Sequence, residues 1–582
     1  MTITVKATIV PTTIAAEIVT KITRKRTTRN GRPFSCFFAF LWYDSQKGGQ
    51  YMSTAKKLVV LILVTALLLS GCNFSEAMSK FAASYGTAIP FEQMEYTRPD
   101  MDALDASVDT CLQAVASGEP IESVMDTVYA FYTHYDSFST NQSLAYLHYN
   151  LDLTSTYWEK EYTFCAESIP RAEAALEKLL HGLAISPLRE ELEAEEYFGP
   201  GFFDGYEEEP LMDETLLALM EQEAALGSSY YALMDQYTDA DYTLSDALFQ
   251  EMADLLIRLV QLRQEMTDYL GYPDYPSFAY DMYYSRDYSP SQAITYMQQV
   301  ADVLRDAYGV LLIEADTDPQ YSHCSETDTF RYLQQAASAM GGTVADAFSY
   351  LRKYDLYDIS YSANKSLTSF EVYIWNYYAP FVFVSPYLDQ SDKLAFAHEF
   401  GHFAADYACS GTFAGTDIAE VHSLAMEYLS LCYSKDAGPL TEYKLKDSLC
   451  LYVEQSAFGL FEHQLYNLKG DDLTVENVTA LFESVGKQFG FDAVSWDPRE
   501  YVTVMHFFTD PMYIISYVVS NDLALQIYQM EREDSGSGRK LYEQILPSQD
   551  TYLLDFAQTY GLQSPFSPSR LQEVAELLKT VT

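Results

Sequence analysis

The chain has 582 residues, a formal net charge of −47 at pH 7 and a hydrophobic fraction of 48%. The composition is globular, and the length exceeds what one hydrophobic core usually serves, so we expect two lobes or one large protein with a cleft. Such a charge repels nucleic acid and anionic lipid head groups, which argues against nucleic-acid binding and against membrane attachment by charge alone. The same charge weakly favours cationic substrates.

The first 71 residues differ from the rest of the chain. Residues 1–51 carry a basic cluster without clear periodicity, and we predict that they are a mis-annotated extension upstream of a true start at Met52. From Met52 the chain has two lysines and then an apolar run, Leu58–Leu69. That run is shorter than the roughly 20 residues of a membrane-spanning helix. Residues 52–71 are therefore predicted to be a cleaved secretory signal, with a transmembrane anchor or an uncleaved signal as the alternative.

The end of this signal, Leu-Ser-Gly-Cys at Cys72, resembles the lipobox of bacterial lipoproteins. The resemblance implies a lipid anchor on Cys72 and a location at the extracytoplasmic face of the bacterial cell membrane. Residues 72–94 would then be a tether between the lipid and the folded protein.

Residues 95–340 are predicted to form an N-terminal helical lobe. Apolar residues recur there at three- and four-residue spacing, for example over 216–235 and 244–270. The acidic, glycine-containing stretch 189–214 is predicted to be a loop between helices. Gly341-Gly342 follows a predicted helix and marks the boundary, so residues 341–582 are predicted to form a zinc catalytic lobe with a helical C-terminal part.

Residues 371–389 give the clearest strand signal, because they are rich in β-branched and aromatic side chains and are punctuated by Pro380 and Pro386. A strand at a sheet edge can pair with the backbone of an extended peptide. The alternative is an ordinary buried strand, and the two interpretations are compatible.

The motif His398-Glu399-Phe400-Gly401-His402 has the pattern HExxH. On a helix, residues four apart share a face, so His398 and His402 can both bind one metal ion. Glu399 would then lie beside the attacking water as a general base. Gly401 costs helix stability, about 1 kcal/mol relative to Ala, but leaves room for close packing. A chance pair of histidines on a core helix is the alternative.

Catalytic zinc usually has three protein ligands, and Glu420, eighteen residues past His402, is the predicted third. Asp417 and Glu427 lie on the same helical face, and either could orient a ligating imidazole. A solvated acidic face is an equally good explanation of these two. His422 is an alternative ligand, but it lies on another face of the helix.

His506, Tyr513 and Tyr517 are polar groups in an otherwise apolar stretch. Hydrogen-bond donors of this kind can stabilise the oxyanion of peptide hydrolysis. The chain has 49 tyrosines, however, and most tyrosines serve packing.

Six further cysteines show no CxxC spacing, which makes a structural cysteine–zinc site improbable. Buried free thiols are the preferred interpretation and disulfides the alternative. They are Cys111, Cys165, Cys324, Cys409, Cys432 and Cys450.

Several of these stretches resemble the M3 family of zinc oligopeptidases, which includes thimet oligopeptidase and oligoendopeptidase F. The matches are HEFGH at 398–402, DIAEVHSLAMEYL from 417, RQEMTDYLGYPDY from 263, RDYSP from 286, PFVFV from 380, HFF and PMY from 506 and 511, and SPF from 564. Together they cover roughly residues 90–580, densely only in the last part of the chain.

The resemblance implies a mainly α, zincin-like metallopeptidase with two helical lobes around a deep channel and a small β-sheet beside the HExxH helix. It implies one Zn²⁺ per chain, catalytic roles for Glu399, His506, Tyr513 and Tyr517, and short unfolded peptides as substrates. We expect a monomer. The alternatives are a zinc exopeptidase of another HExxH class, which lacks support because no GxMEN-like segment is found, and a non-catalytic peptide-binding lipoprotein.

Overall fold

The computed structural model describes residues 88–195, 197–207, 213–239, 242–314, 322–409, 414–493 and 496–579. The predicted upstream extension, the signal peptide and Cys72 lie outside these residues. The predicted mainly helical fold with a small β-sheet is confirmed. No described helix is both long enough and apolar enough to cross a bilayer.

The first helices form a hydrophobic core of their own. They are α1 (Met101–Ala116), α2 (Ile121–Leu151), α3 (Thr156–Ala184) and α4 (Arg189–Ala194). Side-chain caps fix two of their starts: Asp100 accepts a hydrogen bond from the Ala103 amide, and Ser155 accepts one from the Trp158 amide.

The described parts of the predicted loop 189–214, residues 189–195 and 197–207, have more regular structure than their composition suggests. They begin with α4 and continue as turns whose aromatic side chains Phe198, Phe203 and Tyr206 are buried in the first core. Burial of these rings stabilises the segment. Its glycines and acidic residues had predicted only a loop.

The next helices connect this region to the second half of the chain. They are α5 (Glu214–Asp239), α6 (Asp246–Leu270), α7 (Tyr275–Met282), α8 (Pro290–Glu314), α9 (Glu326–Met340) and α10 (Gly342–Lys353). Gly341, with a φ of +71°, reverses the chain between α9 and α10. Helices α8 and α9 contribute to a second, larger core that extends to the C-terminus. The division into two lobes near residue 340 stays a prediction.

The sheet has three strands, β1 (Tyr357–Asp358), β2 (Phe370–Ile374) and β3 (Ala379–Phe383), in the order β1-β3-β2. β1 is parallel to β3, and β2 is antiparallel to it. The stretch predicted as one strand is thus a hairpin. The chain reverses at Tyr378, which adopts a left-handed conformation with a φ of +48°.

Helix α2 covers the outer edge of β2. Tyr373 pairs with Pro380, which has no N–H, so the Tyr373 carbonyl points away from β3. That carbonyl accepts a hydrogen bond from Ser143 Oγ of α2 at 2.9 Å. Pairing of this edge with a peptide would require α2 to move.

The remaining helices complete the larger core. They are α11 (Asp392–Cys409), α12 (Thr416–Tyr433), α13 (Leu440–Leu465), α14 (Val475–Gln488), α15 (His506–Thr509), α16 (Ile515–Glu533), α17 (Ser537–Ile545), α18 (Leu553–Tyr560) and α19 (Arg570–Leu578). Helix α11 packs between the sheet and α12, and α12 packs in turn on α16. This layering places the HExxH motif at the centre of the core.

Three of the six cysteines are the buried free thiols of the preferred interpretation. Cys111, Cys165 and Cys324 are buried free thiols. Cys409, Cys432 and Cys450 are partly buried.

Candidate metal centre

Helices α11 and α12 bring together the three side chains expected to bind a metal. Glu420 Oε2 lies 3.4 Å from His398 Nε2 and 3.8 Å from His402 Nε2. A tetrahedral ion with bonds of about 2.0–2.1 Å holds its ligand atoms about 3.3 Å apart. The three atoms are therefore close to the spacing that such an ion requires.

Gly401 explains how the two helices come so close. A Cβ atom at this position would lie 2.5 Å from Ser423 Cα and 2.7 Å from the His422 carbonyl oxygen, both in the backbone of α12. Only a residue without a side chain permits this approach. The glycine inside the motif thus sets the distance between the histidines and Glu420.

Several polar atoms of this cluster have no hydrogen-bond partner. They are His398 Nε2, His402 Nε2 and Glu399 Oε2. These residues are only 8%, 6% and 1% exposed, respectively, and Glu420 is fully buried. Buried polar atoms without partners are costly, and one ligand atom from each of His398, Glu399 and His402 lies within 4.8 Å of the others. The residues therefore fit a metal cation.

Of the two acidic residues considered for orienting a ligand, only Glu427 contacts one. Its Oε1 atom lies 2.7 Å from His398 Nδ1, and its Oε2 atom lies 2.8 Å from the Nζ atom of buried Lys444. A carboxylate in this position fixes the ring so that Nε2 faces the metal site. Sequence reasoning missed Lys444, since a lone lysine on α13 gives no local sign of a partner on α12.

Asp417 has a different environment. It accepts hydrogen bonds from Tyr288 at 2.9 Å and from Ser516 Oγ at 2.5 Å. Arg286, whose guanidinium lies between the rings of Tyr280 and Tyr284, is 3.4 Å from the same carboxylate. Asp417 thus anchors α12 to α16 and does not touch a predicted ligand. The family resemblance had included the segment that begins at Arg286, but it did not predict which residues Arg286 contacts.

His422 lies away from the cluster. Its Nε2 atom is 3.0 Å from the Ile545 carbonyl oxygen, and burial lowers its pKa to about 4. A neutral imidazole that donates to a backbone carbonyl is a structural group. The alternative ligand His422 is therefore not brought to the site.

Burial separates the pKa values of the central groups. It raises the pKa of Glu399 to about 8 and lowers that of His402 to about 3. Burial also disfavours the charged form of His398, but the carboxylates of Glu420 and Glu427 outweigh it and raise the pKa to about 10. Burial raises the pKa of Glu420 as well, yet the two histidines and Tyr513 bring it down to about 2. Glu399 thus has a high proton affinity, as a general base requires, and Glu420 stays ionised.

The predicted oxyanion donors form a buried cluster beside Glu420. The Tyr513 hydroxyl donates to Glu420 Oε1 at 2.5 Å, so it contacts the predicted ligand directly. The His506 ring stacks on Tyr513 with centroids 5.1 Å apart, and its Nε2 atom is 3.2 Å from the Tyr517 hydroxyl. The structure therefore brings His506, Tyr513 and Tyr517 together next to the metal ligands.

Comparisons with known proteins agree with this architecture. Residues 91–209 match the family model of the Peptidase M3 N-terminal domain. The chain is similar to a solved structure assigned as an oligoendopeptidase F, with 19% identity and a TM-score of 0.72 over 85% of this chain and 98% of the other.

Two further structures give similar values. PZ peptidase A, solved with an inhibitor, has 18% identity and a TM-score of 0.71 over 84% of this chain and 98% of its own. An oligoendopeptidase F from Bacillus anthracis has 18% identity and a TM-score of 0.70 over 85% and 98%. A comparison with curated proteins finds no match. Residues 91–209 are thus similar to the N-terminal domain of M3 peptidases, and most of the chain has the fold of the oligoendopeptidase F structures.

Proposed function

We propose that this chain is a zinc-dependent endopeptidase that hydrolyses short, unfolded peptides. One observation carries the proposal: two partnerless imidazole nitrogens, His398 Nε2 and His402 Nε2, face a single oxygen of Glu420 at 3.4 and 3.8 Å. Two nitrogens and one carboxylate oxygen are a ligand set that zinc prefers at catalytic sites, and the set leaves a fourth position open.

In this mechanism His398, His402 and Glu420 would hold the ion. When bound, the ion would polarise the scissile carbonyl and lower the pKa of a water molecule. Glu399 Oε2, buried and without a partner, would take the proton of the attacking water. The same carboxyl would then donate that proton to the nitrogen of the departing amine, which completes the hydrolysis.

The cluster of His506, Tyr513 and Tyr517 lies beside Glu420 and would help to stabilise the negative charge that develops on the scissile carbonyl oxygen. His506 and Tyr517 would donate hydrogen bonds towards the carbonyl oxygen, as oxyanion donors do. Tyr513 positions a metal ligand, because its hydroxyl donates a hydrogen bond to Glu420 Oε1 and thereby directs Oε2 towards the histidines.

The burial of the site supports short, unfolded substrates. The three proposed metal ligands and Glu399 are each less than a tenth exposed. We therefore expect a peptide to enter in an extended form, with the loops of a folded protein kept away from Glu399.

The test measures metal content and cleavage on the same protein. Elemental analysis should find one zinc per chain, and an internally quenched peptide with both ends blocked should be cleaved within its sequence. Glu399→Gln should retain the zinc but lose turnover. A protein that removes only terminal residues, or a Glu399→Gln variant with full activity, would overturn the proposal.

We further propose that the protein is lipid-anchored through Cys72 at the extracytoplasmic face of the cell membrane. The lipobox-like Leu-Ser-Gly-Cys sequence supports this placement. Labelling of cells with a radioactive fatty acid should mark the wild type and leave Cys72→Ser unlabelled. Peptides from before Met52 in the native protein would contradict the assigned start.

A further inference from the structure

Next to the metal centre lies a cleft of about 1060 Å³ of empty space, part of it open to solvent. Helices α2, α3 and α5, the segment Phe508–Pro511, Arg263 and Tyr283 line it. One end adjoins the proposed active site, because the lining residue Asp510 has its Oδ2 atom 3.7 Å from His506 Nδ1.

Tyr146 lies at the same end of the cleft. Burial raises the pKa of its hydroxyl, and the carboxylates of Asp510 and Glu399 add to the effect, so the hydroxyl is within electrostatic reach of the general base. This hydroxyl is buried and has no hydrogen-bond partner.

The charged side chains that line the cleft are mostly acidic. They are Glu173, Glu223, Asp510 and Arg263. The Arg263 guanidinium is fully engaged: its Nε atom donates to Glu223 at 2.5 Å, and its Nη atoms donate to the carbonyl oxygens of Phe507 and Phe508, both at 2.7 Å. Asp510 accepts a hydrogen bond from the Thr509 hydroxyl at 2.6 Å.

Glu173 differs from the other two carboxylates. It is 3% exposed, and its Oε1 atom has no hydrogen-bond partner. Among the described residues, no lysine, arginine or histidine forms an ion pair with it. Burial, and secondarily the charge of Glu177, raise the pKa of Glu173 to about 8. A buried carboxyl of this kind gains a partner when a cation enters the cleft.

We propose that Glu173 binds a cationic group of the substrate peptide, either a Lys or Arg side chain or the N-terminal amine. This inference rests on the proposed peptidase function, because it assumes that the cleft holds the peptide. The lining favours such a group, since its one guanidinium is already paired with Glu223 and leaves the acidic side chains of Glu173 and Asp510 for an entering cation.

The position of Glu173 sets the distance of this group from the reacting bond. Tyr162 contacts Tyr146 at the active-site end, with ring centroids 5.5 Å apart, and Glu173 lies eleven residues further along α3. At 1.5 Å per residue this separation is about 16 Å. An extended peptide rises about 3.3 Å per residue, so the cation is expected about five residues from the active-site end of the cleft.

The experiment moves one lysine through an otherwise neutral quenched peptide that is acetylated and amidated. At each position, norleucine provides a reference of similar length without charge. We expect kcat/KM for lysine to exceed that for norleucine by about tenfold or more at one position about five residues from the cleaved bond. A second series, with a free or an acetylated N-terminus, distinguishes the terminal amine from a side chain.

Two variants assign the preference to Glu173. Glu173→Gln should remove it while cleavage of the norleucine peptide stays unchanged. The matched control is Glu177→Gln, a buried carboxyl one turn further along α3 that does not line the cleft. This control should keep the preference. The inference would be overturned without any variant if the wild type gave two results. These are equal kcat/KM for the lysine and norleucine peptides at every position, and equal kcat/KM for peptides with a free and an acetylated N-terminus.

Calorimetry separates this inference from the proposed function. In a Glu399→Gln background, the lysine peptide should bind about tenfold more tightly than the norleucine peptide, and adding Glu173→Gln should abolish the difference. Cleavage of both peptides at equal rates would refute the cation site and leave the peptidase proposal intact. If the wild type cleaves neither peptide but the lysine peptide still binds more tightly, the peptidase proposal is refuted and the cation site is retained.

Discussion

His398 Nδ1 and Glu427 Oε1 lie 2.7 Å apart, and this contact fixes which nitrogen of the imidazole faces the metal site. Glu427→Gln should lower zinc affinity by about 10–100-fold, because the orienting carboxylate and its charge are lost. The measurement is competition with a chromophoric chelator.

Asp417→Asn is the matched control, since Asp417 lies on the same helix but contacts Arg286 and Ser516. Its zinc affinity should stay within about twofold of the wild type. Its free energy of unfolding should fall by about 3–5 kcal/mol, because the buried Arg286 loses its charged partner. An unchanged affinity in Glu427→Gln would show that His398 is oriented by other contacts.

Glu420→Ala should abolish stoichiometric zinc binding, because it removes one of three ligands. His422→Gln should keep one zinc per chain, since His422 contacts the Ile545 carbonyl oxygen. Elemental analysis after gel filtration measures both. Full zinc content in Glu420→Ala would move the third ligand elsewhere.

Substitution of Tyr513 and substitution of Tyr517 should affect different properties, zinc binding in the first case and turnover in the second. Tyr513→Phe should weaken zinc binding about tenfold or more, because Glu420 Oε1 loses its donor. Tyr517→Phe should leave zinc affinity unchanged, since its hydroxyl faces His506, and should lower kcat by about 10²-fold or more. Equal zinc affinity in both variants would contradict the positioning role of Tyr513.

Gly401→Ala should destabilise the protein although alanine is the better helix former. The added Cβ would lie 2.5 Å from Ser423 Cα, and such overpacking costs about 1–3 kcal/mol. Gly309→Ala, in α8, meets no atom within 4 Å and should stabilise by about 0.5–1 kcal/mol. Thermal denaturation compares the two. A higher Tm for Gly401→Ala would show that α12 can move away.

Zinc affinity should rise with pH. In the metal-free protein the pKa of His398 is raised to about 10, so below that pH the imidazole must release a proton before Nε2 can bind the ion. Between pH 6 and 8 the association constant should increase up to about tenfold per unit. His402, with a pKa lowered to about 3, stays neutral and adds no slope. Chelator competition at three pH values measures this slope, and a flat profile would contradict it.

Sequence periodicity was sufficient to place His398, Glu399, His402 and Glu420 on two facing helices, because ligand spacing on a helix is a local property. The choice between Asp417 and Glu427 was not local, since both lie on the same face of α12. Lys444, on α13, and Arg286, in the connection between α7 and α8, determine their partners. The hairpin at Tyr378 escaped prediction because a left-handed tyrosine has no distinctive sequence signal.

The depth of the metal centre has a consequence for the surroundings of the protein. Glu399 is 1% exposed and Glu420 is fully buried, so under the proposed function the shape of well-folded neighbours would exclude them from cleavage. Such a peptidase would be able to share a compartment with intact proteins and degrade the flexible fragments among them.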